Sequence, residues 1–232
     1  MSLYLLIDLA SVFVPFLFSF HPRIAFVKQW RYALPAIALT AIPFLIWDQW
    51  FTTIGVWGFN PVYHGSTMVG AMPLEEVLFF ICIPYACLFT YWSIRHLTSI
   101  SLPKSALMPL YGVLFVVFTL MGVLGREQWY TCINGVFAFA VLLSTAFVKR
   151  DLMLRFFPVY LVTLIPFFIV NGILTGTGLP EPIVWYNNAE NMGIRALTIP
   201  IEDFAYSFSM LLLPTLLFEV LKERAESRST RQ

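Results

Sequence analysis

Long apolar stretches alternate with short polar ones along the whole chain, and seven approach the length of a bilayer crossing: 3–20, 34–50, 73–92, 106–125, 130–147, 156–175 and 199–221. A helix rising 1.5 Å per residue needs about 20 apolar residues to cross about 30 Å of hydrocarbon. Lipid offers no partner to free backbone groups, so each stretch is predicted to be helical. The fourth and fifth are parted by little more than Arg126, Glu127 and Gln128, which makes them a tight hairpin. The predicted fold is all-α, a polytopic membrane protein of about seven transmembrane helices.

Charge tests the number of spans independently. Twelve of the fourteen Lys and Arg residues follow spans one, three, five and seven; only Arg126 and Arg195 fall in the opposite set. Basic residues concentrate on the cytoplasmic side. The expected topology is therefore a multi-pass protein of the cell membrane, N-terminus outside and C-terminus cytoplasmic. Loops 51–72 and 176–198 then lie outside.

Composition agrees: 59% of residues are hydrophobic and 12% charged, about half the charged share of a soluble domain. A net charge of +1 argues against nucleic acid, whose phosphates need a basic patch. Cys82, Cys87 and Cys132 have no ligand spacing and read as small core residues. The first span lacks a basic leader and a cleavage site, so it is expected to be a retained helix.

The chain also repeats. Leu34-Pro35-Ala36 through Ile42-Pro43-Phe44 to Asp48 matches Phe157-Pro158-Val159 through Ile165-Pro166-Phe167 to Asn171 at a constant offset of 123. Val56-Trp57 and Asn60 correspond to Val184-Trp185 and Asn188, and Pro73-Leu74-Glu75-Glu76 to Pro200-Ile201-Glu202-Asp203. The pattern predicts two parallel three-helix repeats joined by a linking helix: 1–105, a linker 106–128, 129–222, and a charged cytoplasmic tail 223–232. Both acidic motifs then sit at the same depth.

A proline and two acids can simply open a helix, where carboxylates favour the positive end of its dipole. Capping does not require the matched tryptophans upstream, and ionisable groups at membrane depth are costly and usually functional. Adjacent carboxyls in a low dielectric cannot both ionise cheaply, so one of each pair is expected to keep a proton and serve as a general acid. On a helix, Glu76 shares a face with Phe79, Phe80 and Ile83, and Asp203 with Tyr206 and Met210. Those rings either pack ordinarily or wall a dry pocket that stabilises positive charge. Asp48 and Asn171 read as interfacial caps or as supports for the acids. Trp57 and Trp185 suit an aromatic belt, and their matched positions, with Asn60 and Asn188, add them to the candidate site. Asp8 has no identifiable partner.

The motifs from Pro73 and Pro200 are similar to the paired motifs of the small membrane lycopene cyclases. Those occur as two short polypeptides, as a fused chain, or as a domain joined to phytoene synthase. This chain resembles the fused stand-alone form over nearly its whole length. The resemblance implies a lycopene beta-cyclase that closes rings at the linear ends of lycopene, giving gamma- and then beta-carotene without net redox change. It implies catalysis by Glu75, Glu76, Glu202 and Asp203, with lycopene and membrane lipid as partners, and leaves room for association with other carotenoid enzymes. No Gly-x-Gly-x-x-Gly follows a strand, so no flavin is expected, and no metal either. A cyclase for a C50 or epsilon-ring carotenoid is the alternative within the family.

Outside that family, a proton-coupled transporter would put its acids nearer mid-membrane along a polar path. A retinal receptor needs a lysine in 199–221, which holds none. A prenyltransferase needs clustered aspartates, and those at 8, 48, 151 and 203 are scattered.

Overall fold

A computed structural model describes residues 1–229. Arg231, one of the basic residues assigned to the tail, lies outside the described residues. The helices are α1 (Leu3–Phe18), α2 (Trp30–Ile54), α3 (Leu74–Leu97), α4 (Leu107–Leu124), α5 (Trp129–Lys149), α6 (Leu152–Leu174) and α7 (Glu202–Ser229). This is an all-α polytopic membrane protein. Among the described residues six helices are long and apolar enough to cross a membrane, and α1 is apolar but shorter, at 16 residues.

Helices α2 and α6 each run unbroken through two prolines, Pro35 and Pro43 in one, Pro158 and Pro166 in the other. Packing against neighbouring helices re-satisfies the backbone groups such prolines free. Large apolar side chains such as Phe13, Ile46, Val113 and Ile165 face outward, as lipid contact demands. Helices α4 and α5 approach closely. A Cβ on Gly135 would stand 2.5 Å from the Gly122 backbone nitrogen, so the absent side chain is what lets the two backbones meet.

One end of the bundle carries the N-terminus and both long loops, and is termed the hairpin face. Among the described residues these loops hold six very short strands: β1 (Trp57–Phe59), β2 (Met68–Val69), β3 (Met72–Pro73), β4 (Val184–Tyr186), β5 (Arg195–Ala196) and β6 (Ile199–Pro200). Hairpin β2–β3 runs directly into α3, and β5–β6 leads to α7. Strands of two residues are too short to show alternation. Strand β1 pairs antiparallel with β4, tying the two long loops together.

The opposite end, the tail face, holds a buried ion-pair network. Glu219 of α7 is bonded by Arg95 of α3, by the Tyr91 hydroxyl at 3.1 Å and by the Lys149 ammonium of α5 at 3.4 Å. The main core, between the ends, joins residues of α2 through α7.

Candidate active site

Consecutive helical residues point about 100° apart, so the two acids of each motif face different surroundings. Glu75 turns toward its own loop. Its Oε1 accepts from the Ser2 hydroxyl at 2.6 Å and the Gly65 backbone N–H at 2.7 Å. Glu202 does the same: its Oε1 accepts from the Thr131 hydroxyl and the Met192 backbone N–H, both at 2.7 Å. In each half the backbone donor lies ten residues upstream of the acid. These carboxylates staple loop to helix, and neither lines the cavity described next.

Glu76 and Asp203 face that cavity. Its volume is about 320 Å³, and it lies among α1, α3, α6 and α7 with the β1–β4 ribbon above. The Tyr4 hydroxyl donates to Glu76, and the Tyr130 hydroxyl donates to Asp203. Asp203 also accepts from the Asn171 amide at 2.7 Å and the Tyr186 hydroxyl at 3.1 Å. Asp48 accepts from the Trp57 indole and lines the same cavity as Glu76.

The ribbon's register decides which rings join the site. Trp57 pairs with Tyr186 and Gly58 with Trp185, and paired residues share a face of the ribbon. Trp57 and Tyr186 therefore both turn to the cavity, while Trp185 turns away and is 42% exposed. Its ring lies over Gly58, where a Cβ would come within 2.3 Å. The sequence match of Trp57 to Trp185 thus misses by one residue the side chain that shares the site. Nor does the belt reading hold for Trp57, which is buried against Asp48. Burial, with Asp203 beside it, pushes the Tyr186 hydroxyl well above the ordinary tyrosine value, so it remains a donor.

Among the remaining candidates, Phe79, Tyr206, Asp48 and Asn171 line the cavity. Phe80 does not. It packs behind the wall with its ring 6.0 Å from that of Phe44. Asn60 and Asn188 lie in the loops, bonded to Glu181 at 3.0 Å and Arg195 at 2.9 Å, away from the acids. Rings of Trp47, Trp57 and Tyr130 surround Tyr206 at centroid distances of 5.0, 6.2 and 6.4 Å.

The tyrosines that donate to the acids also stand at matched positions of the two halves. Tyr4-Leu5-Leu6-Ile7-Asp8 matches Tyr130-Thr131-Cys132-Ile133-Asn134 at an offset of 126. Each tyrosine bonds the second acid of the motif in its own half. Asn134 donates to the Glu202 backbone carbonyl at 2.6 Å. Asp8, its counterpart, is fully buried, and neither carboxyl oxygen has a hydrogen-bond partner among the described residues.

Fold and site together define a polytopic membrane protein that gathers buried carboxyl groups around an apolar, ring-walled cavity. The chain belongs to the lycopene cyclase family, whose model, described as lycopene cyclase, matches residues 1–94 and 127–221. The protein is accordingly an enzyme of the carotenoid cyclase kind, processing a carotenoid in a membrane. No curated protein and no solved structure matches the chain.

Proposed function

We propose that the chain is a lycopene beta-cyclase, built of two three-helix units (1–105 and 129–222) that share one composite site. The observation that carries this reading is the convergence of Asp48, Glu76 and Asp203 on a single apolar cavity. A terminal isoprenoid double bond is an oily, weakly basic group. Protonating it requires a carboxylic acid kept from water, with neighbours that tolerate a cation.

The Asp48–Glu76 pair holds the proton to be given. Its transfer to the terminal alkene leaves a tertiary carbocation, and the next double bond attacks it to close a six-membered ring. A base then removes a proton, so no electrons are gained or lost. Asp203, which accepts from three donors, serves as that base, its carboxylate oxygen offering the lone pair that takes the proton. The ring faces of Trp57, Tyr130, Tyr186 and Tyr206 stabilise the cation between these steps. Glu75 and Glu202 are positioning residues that hold the loops and turn the second acids inward. This reading needs neither flavin nor metal, and it orients the hairpin face outward, with the tail cytoplasmic.

Expression in lycopene-accumulating cells, with pigments separated by chromatography, tests the reading. The parent chain is expected to yield beta-rings. Glu76→Gln or Asp203→Asn should cut ring formation about a hundredfold or more at unchanged membrane yield. Full activity in both variants, or no cyclised pigment with the parent, would refute the assignment.

A further inference from the structure

The cavity continues far below the acids. Along α3 its lining runs from Glu76 through Phe79 and Ile83 to Ala86, Cys87 and Thr90, a descent of about 21 Å at 1.5 Å per residue. Its character changes on the way. At the hairpin face the walls are aromatic rings and carboxyl groups. Two to four turns lower, the wall of a passage is made of Ser11 of α1 and Ala86, Cys87 and Thr90 of α3, with Met210 and Leu211 of α7.

The other half is built differently at this depth. Phe44 of α2 fills the corresponding place, its ring 5.1 Å from those of both Tyr206 and Phe137. Phe167, which matches Phe44 at the offset of 123, instead lines the open cavity and packs on Phe204 at 5.1 Å. One aromatic side chain plugs one half, and its counterpart stands aside in the other.

We propose that this lower passage is a binding subsite for the unreacted length of a linear polyene, lying along α3 with one end at the acids. Ala86 and Thr90 set how much chain it accepts. The inference rests on the cyclase reading and adds the substrate's direction, its single docked end and the residues that gauge it. A molecule ringed at one end must then leave, reverse and dock its other end before a second ring can close.

Phe substitutions placed in the passage test this with two substrates, lycopene and a linear polyene short enough to end above residue 86. Variants are compared at equal membrane yield. Ala86→Phe is expected to lower lycopene cyclisation about tenfold or more, a steric exclusion of the size a filled pocket imposes, while sparing the short polyene within about twofold. Thr90→Phe, one turn deeper, gives an independent plug and should spare the short polyene as well. Unchanged ratios of lycopene to short-polyene turnover in both variants would overturn the subsite. Failure of the parent to cyclise either substrate would instead remove the cyclase reading itself.

Discussion

At the scale of single residues, the site pairs unlike groups at matched positions. Asp8 stands where the other half has Asn134, whose amide holds the carbonyl of the first acid of its motif. An asparagine at residue 8 supplies the same donor in nearly the same volume. Asp8→Asn is therefore expected to preserve both membrane yield and ring formation. Asp8→Leu removes a buried carboxyl that has no partner among the described residues. An unsatisfied buried polar group costs about 1–3 kcal/mol, so thermal unfolding in detergent should register a gain over the parent chain; a lower midpoint would show that Asp8 makes a bond of value. The acid motifs were legible in the sequence from their duplication alone. Which acid of each pair faces the cavity was not, because both members of Glu75-Glu76 carry the same chemistry and only the helix's rotation separates them.

At the scale of elements, the helices follow from apolar length, and the structure extends several of them by only a few residues. The hairpins were hidden, since β2 and β3 offer two residues each and nothing periodic to read. Tyr186 was hidden for a related reason. Its partnership with Trp57 is fixed by the register of an antiparallel pair, and sequence alignment of the two halves selects Trp185 instead. The two hairpins differ at one telling position. Gly70 turns β2 into β3 with φ 64°, and Leu197, its counterpart in β5–β6, adopts φ 61°. A left-handed backbone costs a residue with a Cβ about 1–2 kcal/mol, and glycine returns part of that gain through its freer unfolded chain. Leu197 is 76% exposed, so its side chain contributes little packing. Leu197→Gly is expected to raise stability by about 0.5–1 kcal/mol, read as a higher midpoint of thermal unfolding; a lower midpoint would show that Leu197 makes contacts of value.

At the scale of the molecule, two ties hold the halves together, the β1–β4 ribbon at one end and the Glu219 network at the other. Glu219 reads in sequence as one charge near a helix end; only the bundle shows that Arg95 and Lys149 converge on it from two other helices. Its side chain is 5% exposed, whereas those of Arg95 and Lys149 are 30% and 26% exposed. The cations can extend toward water if abandoned, and the glutamate cannot. Arg95→Met is therefore expected to cost more stability than Glu219→Gln, by about 1 kcal/mol or more, and the reverse order would sink this account. The contrast between Asp48 and Asn171 has a consequence of another kind. Two identical subunits around a dyad must give their carboxyls identical neighbours, so neither can specialise. Joined in one polypeptide, the halves are free to drift apart. One partner to an acid remains ionisable while the other has become a neutral amide, and a division of labour between giver and taker is open to this molecule that a symmetric pair could never hold.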